Sequence, residues 1–410
     1  MRGAAQNVLP SFKFLLNDGF KLPNQLKNVI MKSSNNRVVV SCYSLTKFLK
    51  PFCCLKNRNT MKSTFLSPVI VFLLFSFLCS KVLSQEDNPM EPTPSIGFLK
   101  LENGNSYFGH IELGKMSGIG TQFLSNGKHR TGYFQDNRYL GDFIVTPPWH
   151  MIDIDLWLEE EQVMETFSID VNILSDIPDS VQIYIAPFGT STINGVQFYG
   201  GIQTQCGGYN SVANNENVGP FKLLGRSMIF SRWGSRSEDA FIKAKGGLCE
   251  SSGYEGDFVS VRNALQWKKG KYTFTLRKTD QTIWLDSATH TYVEMVVYDH
   301  QTKKNHSCGS LAFPGKTLVL GHENYMFFEL YGKRLNVNEL TPYTFVCDNM
   351  LVNGKQVNYK FVASSFDKKF PIYADAKFSD GKFTVEVGRP NTKPITEGKD
   401  FNFNILYSNE

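Results

Sequence analysis

The sequence predicts an all-β protein: an antiparallel β-sandwich or jelly roll with a short Gly-rich hairpin region before it and a small C-terminal β module. Apolar and polar residues alternate along several short runs, with Tyr272, Phe274 and Leu276 set against Thr273 and Thr275. This period of two is typical of half-buried strands. Clusters of Gly, Asn, Asp and Ser separate the runs, and long amphipathic helical patterns are missing, which favours a sandwich.

Most strand-like runs fall between residues 144 and 332, which we assign to the main sandwich domain. Each run is rich in β-branched or aromatic residues and ends at turn-forming residues. The predicted strands are residues 181–186, 196–202, 226–233, 272–277, 292–298, 317–320 and 325–331.

Residues 333–410 predict a second, smaller β module. Asn353-Gly354 and Asp380-Gly381 are typical of two-residue hairpin turns. Residues 401–405 alternate between apolar and polar side chains.

Residues 97–143 combine glycines with aromatic residues. Residues 107–109 and 139–141 each place a tyrosine two positions before a glycine, and Gly118-Ile119-Gly120 lies between them. The stretch resembles MORN repeats, and an irregular hairpin region is the alternative. Because fewer than three such repeats rarely fold alone, we expect this region to dock on the next domain.

Residues 61–84 have the pattern of a secretory signal peptide. A lysine precedes an apolar run over residues 65–78, and Val82 and Ser84 occupy the −3 and −1 positions of a cleavage site. The run is shorter than the roughly 20 residues of a transmembrane helix, and none of that length follows. We therefore expect cleavage after Ser84 and a secreted, extracellular chain with no stable membrane span.

Neither segment flanking the signal peptide is assigned to a folded domain. Residues 1–60 are interpreted as an over-extended gene model or leader before a start at Met61, with a type II membrane anchor or an organellar presequence as alternatives. Residues 85–96 are acidic and proline-rich, which is typical of a flexible linker.

The net charge of +5 comes from the leader. Residues 1–84 hold 12 of the 43 basic residues but one of the 38 acidic ones, so residues 85–410 carry −6. An acidic chain is not typical of phosphate-backbone binding, and we predict no nucleic-acid partner.

Four cysteines follow the predicted cleavage site: Cys206, Cys249, Cys308 and Cys347. An even number in an exported chain predicts two disulfides in one of three pairings, and one bond from Cys347 would tie the two β modules together. Buried free thiols are the alternative. Asn305 begins a glycosylation sequon, Asn-His-Ser.

Residues 145–315 resemble the family catalogued as domain of unknown function 3472. The resemblance lies in residues 199–203, in the strand 228–233 with its Phe-Ser-x-Trp pattern, in residues 253–256, and in Trp267, Gly270 and Tyr272. It implies an exported β-sandwich associated with glycans. No catalytic residues are agreed for that family, so it assigns no site.

Motifs for common enzyme chemistry do not occur. The sequence has no Gly-x-Ser-x-Gly elbow, no His-Glu-x-x-His and no Gly-x-Gly-x-x-Gly after a strand. His150 with Asp153 and Asp155, or His290 with Glu294, share strand faces. We interpret both sets as surface polar positions, and we predict neither a metal nor a cofactor.

Aromatic residues give the strongest functional signal. An indole or phenol ring stacks on the apolar face of a sugar while neighbouring polar groups bind its hydroxyls. We expect Trp233 and Trp267 to fill the core. The candidate glycan-binding residues are Trp149, Trp284, Tyr209, Asn210, Tyr254 and Glu255.

Three functions are compatible with these observations. The first is a non-enzymatic secreted sandwich that binds glycan or extracellular matrix. The second is a secreted carbohydrate-active hydrolase or lyase with paired carboxylates, for which the candidate acids are Glu250, Glu255, Asp257 and Glu294. The third is a structural extracellular protein.

Overall fold

The computed structural model describes residues 95–367, 371–393, 396–397 and 401–408. The predicted leader 1–60, the signal peptide 61–84 and the linker up to residue 94 lie outside the described residues. Across the described residues, antiparallel strands alternate with turns, and the only helical segments are two 3-10 turns, Glu238–Ala240 and Val337–Glu339. The predicted all-β sandwich is therefore confirmed.

The glycine-rich region forms a separate five-stranded antiparallel meander in the order β1-β2-β3-β4-β5. It docks on the sandwich through Thr131: Asn338 Oδ1 accepts from the Thr131 amide at 2.7 Å, and Asn338 Nδ2 donates to the Thr131 carbonyl at 2.9 Å. The Thr131 hydroxyl lies 2.5 Å from the Tyr373 hydroxyl. The strands are β1 (Ser95–Lys100), β2 (Ser106–Glu112), β3 (Lys115–Phe123), β4 (His129–Gln135) and β5 (Arg138–Asp142).

Eighteen strands follow between residues 144 and 336. The predicted alternation holds in the strand that contains Tyr272, Phe274 and Leu276, since these three side chains are buried while Thr273 and Thr275 are not. The strands are β6 (Ile144–Val145), β7 (Trp149–Leu158), β8 (Gln162–Val163), β9 (Thr166–Ile173), β10 (Ile183–Ile193), β11 (Val196–Gly208), β12 (Ser211–Ala213), β13 (Glu216–Val218), β14 (Lys222–Trp233), β15 (Phe241–Lys243), β16 (Leu248–Ser252), β17 (Phe258–Ala264), β18 (Gly270–Leu285), β19 (Ala288–Asp299), β20 (Lys304–Pro314), β21 (Val319–Leu320), β22 (Glu323–Leu330) and β23 (Leu335–Asn336).

Seven further strands lie in the C-terminal region. Both predicted hairpin turns occur, and all four of their residues have positive φ (52° and 74° at Asn353-Gly354, 53° and 71° at Asp380-Gly381), which is the geometry of type I′ turns. The strands are β24 (Tyr343–Val352), β25 (Lys355–Gln356), β26 (Tyr359–Asp367), β27 (Ala374–Ser379), β28 (Lys382–Val387), β29 (Thr396–Glu397) and β30 (Phe401–Ser408).

Two sheets form the sandwich. The larger has the order β16-β17-β14-β11-β10-β22-β7-β26-β30-β29, with β21 pairing with β10 and β8. The smaller has the order β15-β20-β19-β18-β9-β24-β28-β27, with β25 on β24. Strands from the predicted main domain and from the predicted C-terminal module thus share both sheets, through the pairs β7–β26 and β9–β24.

One hydrophobic core lies between the two sheets. It includes Trp267, Phe230 and Phe328, and it extends without interruption to C-terminal residues such as Phe345 and Val385. Because the strands before and after residue 333 bury their apolar side chains in this one core, they form one packed body.

Candidate functional site

The outer face of the larger sheet carries a second, smaller layer of aromatic residues. Along β22, Met326 and Phe328 belong to the core between the sheets, whereas Phe327 belongs to a separate cluster with Tyr184 and Ile229. This separation follows from the strand period of two, which turns alternate side chains to opposite faces.

Seven rings on this face form a continuous row, which we call the aromatic band. Five of the contacts are edge-to-face or tilted, as aromatic pairs prefer, and His150 stacks on Phe327. Because the band crosses six adjacent strands about 4.8 Å apart, it extends over about 24 Å. In order, the centroid distances are His150–Phe327 4.7 Å, Phe327–Tyr184 5.0 Å, Tyr184–Tyr199 5.8 Å, Tyr199–Trp233 4.8 Å, Trp233–Phe258 6.4 Å and Phe258–Tyr254 5.2 Å.

The rings of the band differ in accessibility. Tyr184, Phe327 and Phe258 are buried, whereas Tyr199 and Trp233 are half-buried and Tyr254 is 67% exposed. The buried rings thus form the layer on which the accessible ones pack.

The strands that carry Tyr184 and Tyr199 approach each other closely. Gly201 on β11 allows this approach, because a Cβ there would lie 2.0 Å from the carbonyl oxygen of Ile185 on β10.

One end of the aromatic band carries a cluster of ionisable groups. His150 Nδ1 lies 2.9 Å from Asp153 Oδ1, and His150 Nε2 lies 3.9 Å from Glu329 Oε1. Burial opposes protonation of His150, but the carboxylates of Asp153, Glu329 and Asp367 raise its pKa to about 9. Burial also raises the pKa of Glu329 to about 7, although His150 opposes this shift.

Asp155 is a third carboxyl on this face and the second that β7 contributes. Burial and the charge of Asp153 raise its pKa to about 7, while Ser365 donates a 3.1 Å hydrogen bond that opposes the shift. A proton on Asp155 or Glu329 is therefore available near neutral pH.

The loop between β16 and β17 carries Glu255 and lies against the aromatic band. Trp233 Nε1 donates to the Glu255 carbonyl oxygen at 3.1 Å and so fixes the loop on the aromatic band. Partial burial of the carboxyl and the charge of Glu250 raise the pKa of Glu255, and its charge in turn raises the pKa of Glu329.

Glu250 itself is held in a buried ion pair with Arg262. Arg262 also donates to the Gly207 carbonyl oxygen and, through Nε, to the Ser260 hydroxyl at 3.2 Å. Each of the three guanidinium nitrogens thus donates a hydrogen bond, and this pair is part of the structural support of the face.

Tyr184 has a buried hydroxyl without a hydrogen-bond partner among the described residues. The residue is 3% exposed, and it is directly paired with Glu329 in the register of β10 and β22. An unpaired buried hydroxyl costs about 1–3 kcal/mol, so it calls for a partner such as a water or a ligand.

Of the predicted binding residues, Tyr254 and Glu255 lie at the aromatic band. Tyr209 and Asn210 lie at the end of β11, where Tyr209 pairs with Cys249 and the Asn210 carbonyl accepts from Lys243. Trp284 is 71% exposed, but it lies on β18 of the smaller sheet.

Two tryptophan predictions are wrong. Trp149 is 3% exposed and belongs to the core, because β7 begins at this residue and turns its side chain inward. Trp233 was expected in the core, but the alternation of β14 places it on the outer face, beside Tyr199. Trp267 is buried as predicted, and its indole N–H donates to the Gln203 carbonyl at 2.9 Å.

The remaining candidate acids do not share the site. Glu294 lies on the smaller sheet, where Arg277 pairs with it at 2.6 Å. Asp257 is exposed at the end of the loop that carries Glu255. Sequence reasoning missed Glu329 and Tyr199 as site residues. Each lies in a strand with alternating burial, at a position that the period of two turns away from the core, and this pattern could have identified them.

The four described cysteines are free thiols, and all are buried. The two predicted disulfides are therefore absent from the described residues. Cys347 on β24 lies four strands from Cys308 on β20, which at about 4.8 Å per strand excludes a bond between them. Burial also raises the pKa of Cys206 and of Cys308, which makes these thiols unreactive.

The described residues contain neither a cluster of metal-ligating side chains nor a membrane-spanning helix. No three His, Cys, Asp or Glu side chains of the described residues are arranged to hold a metal ion. Within the same part of the chain, no helix has the length and apolar character needed to cross a bilayer.

Asn305, the predicted glycosylation site, is exposed on β20.

Comparisons with known proteins provide no functional assignment. No family model matches the chain, and no curated protein matches it. Similar solved structures include two of scytalido-glutamic peptidase, one with a transition state analog inhibitor and one with a peptide-based transition state analog. Both are 8% identical and cover 58% of this chain and 98% of theirs, with TM-scores of 0.30 and 0.29. Scores this low support no argument about this chain.

Proposed function

We propose that this protein binds a glycan on the outer face of its larger sheet. The observation that carries the proposal is the aromatic band, with its accessible rings at Tyr199, Trp233 and Tyr254. Such rings stack on the apolar faces of sugars, and the adjacent His150 and carboxylates bind hydroxyl groups.

The charge of the face narrows the class of glycan. Asp153 and Glu255 contribute carboxylates, and Asp155 and Glu329 add negative charge above about pH 7. The positive groups are already engaged, since His150 lies 2.9 Å from Asp153 and Arg262 is paired with Glu250. Uronate or sulfate groups would meet like charges here, which is unfavourable. We therefore infer a neutral or amino-sugar glycan as the ligand.

Export of the protein is part of the same proposal. The signal-peptide pattern of residues 61–84 supports it, and the exposed sequon at Asn305 is compatible with it. The free thiols give it no support. Peptide mass mapping of the natural protein, with attention to a terminus at Gln85 and a glycan on Asn305, tests export independently of binding.

The binding test uses the full chain, produced in a secretory host, on an array of neutral, amino-sugar and acidic glycans. We expect binding to neutral or amino-sugar glycans, reduced at least tenfold by Trp233→Ala and by Tyr254→Ala. Trp284→Ala is the matched control, since it removes an exposed tryptophan from the other sheet.

Two outcomes would refute the proposal. One is binding that only Trp284→Ala abolishes, which would move the site to the smaller sheet. The other is no binding above background by wild-type protein whose fold is verified by circular dichroism.

A further inference from the structure

A cleft of about 630 Å³ is lined by both sheets of the sandwich, at the end where β26 begins. The larger sheet contributes the start of β26 and the end of β30, and the smaller sheet contributes β24 and the turn between β27 and β28. None of the seven rings of the aromatic band is among the described residues that line it. The volume lies within the range of about 300–1,000 Å³ that is typical of small-molecule sites.

Three aromatic rings line the interior of this cleft. The Phe378 ring centroid lies 5.5 Å from that of Tyr359 and 5.6 Å from that of Tyr407, with interplanar angles of 84° and 64°. Because Phe378 meets both neighbours edge to face, the three rings form walls of different orientation. Tyr359 is buried, whereas Phe378 and Tyr407 are half-buried and keep accessible surface.

The charged residues of the lining are mostly acidic. Glu159, Asp348 and Asp380 are acids, and Lys382 is the one cationic residue among the described residues of the lining. These three acids and one base give the lining a formal charge of −2. Glu159, Asp380 and Lys382 are exposed, so the charges lie mainly at the opening and the rings lie deeper.

Two local features of the smaller sheet place the acidic residues. Asp380 is the first central residue of the type I′ turn between β27 and β28, and its carboxylate accepts a 3.1 Å hydrogen bond from the Ser379 hydroxyl. On β24 the register with β9 shifts between Asp348 and Leu351, as at a β-bulge. Bulges redirect the side chains of a strand and are frequent next to binding sites.

We propose that this cleft binds a small organic cation, in which an ammonium or guanidinium group is joined to an apolar body. Aromatic rings are negative over their faces, so the walls attract the cationic group and also pack against the apolar body. The acidic opening adds an attraction that a neutral or anionic molecule of the same shape lacks. The site is separate from the proposed glycan site, and neither depends on the other.

The test is isothermal titration calorimetry of the full chain with three matched probes: 2-phenylethylamine, 2-phenylethanol and phenylacetate. All three carry a phenyl ring on a short chain, and at neutral pH they are cationic, neutral and anionic. We expect the amine to bind at least about tenfold more tightly than the alcohol, and phenylacetate not to bind. N-acetylglucosamine is the fourth probe and reports a sugar site in the same cleft.

Two variants assign the binding to the cleft. Phe378→Leu removes a ring but keeps an apolar side chain, and it should weaken binding of the amine at least about fivefold. The combined change Glu159→Gln, Asp348→Asn and Asp380→Asn should weaken it at least about tenfold, and asparagine is compatible with the type I′ turn. Thermal melting verifies the fold of each variant.

Two further variants complete the set. Glu386→Gln is the matched control, because it removes a carboxylate from β28 outside the described lining and should bind the amine as the wild type does. Tyr407→Leu on β30 replaces Phe378→Leu if that variant does not fold, and the same fivefold loss is expected.

Each outcome supports or overturns the proposal. Equal affinity for the amine and the alcohol, or no binding of the amine by folded wild-type protein, would overturn it. Amine binding that the ring and charge variants leave unchanged would show that the cation binds elsewhere. Binding of N-acetylglucosamine that Phe378→Leu weakens, without binding of the amine, would overturn the ligand class.

Discussion

Replacing Glu329 with glutamine should remove a pH-dependent loss of stability from the protein. Burial raises the pKa of Glu329 from its usual 4.5 to about 7 in the folded chain. The folded state therefore binds more protons than the unfolded state between these values, and the free energy of unfolding falls as pH rises through this window. At about 1.4 kcal/mol per pH unit, the loss attributable to Glu329 is at most about 3.5 kcal/mol.

The assay is urea unfolding at about pH 5 and pH 8 for the wild type, Glu329→Gln and Glu323→Gln. His150, whose pKa is about 9, adds a loss of the same sign above its unfolded value, so the decisive quantity is the difference between the wild type and each variant. We expect Glu323→Gln to follow the wild type, because its carboxyl is 46% exposed. If Glu329→Gln loses as much unfolding free energy between the two pH values as the wild type, the carboxyl is not desolvated in the folded protein and the reasoning is refuted.

Three other predictions concern the packing around the site and the thiols. Gly201→Ala should lower the unfolding free energy by about 2 kcal/mol or more, since the new methyl would lie 2.0 Å from the Ile185 carbonyl oxygen; unchanged urea unfolding would contradict this close approach. Asn338→Ala should speed limited proteolysis of residues 95–142 several-fold, because both bonds to the Thr131 backbone are lost; equal protection would mean that other contacts dock the meander. Alkylation without reductant should modify none of the four described thiols in native protein and all four in urea; fewer in urea would indicate a disulfide.

Alternation along the chain was sufficient to predict the fold class and the hairpin turns. The burial of Tyr272, Phe274 and Leu276 and the positive φ values at Asn353-Gly354 follow from local side-chain chemistry alone. Strand pairing is different, because β7 meets β22 and β26 only after long intervening segments. No local pattern encodes those partners, so the meeting of His150 with Glu329 could not be read from the sequence.

The tryptophan errors have a local cause. Trp149 follows Pro147-Pro148, which favours an exposed loop, but the strand starts directly after the prolines and its first side chain points to the core. Trp233 ends an apolar run, yet Met228 and Phe230 already occupy the inward positions of that run. Strict counting of the period of two would have placed Trp233 outward, on the side of Ile229.

The aromatic band calls for an explanation that the fold itself does not supply. The sandwich already has one continuous core between its sheets, and the cluster around Tyr184 and Phe327 is separate from it. Half-buried rings on a solvent-facing sheet, beside carboxyls whose pKa values burial raises, stabilise the free protein less than a polar surface with satisfied groups would. The unpaired Tyr184 hydroxyl adds a further cost of about 1–3 kcal/mol. Accessible rings beside carboxyls that burial desolvates are typical of a binding site, which is why the outer face of the larger sheet, rather than the exposed Trp284, is where we place the function.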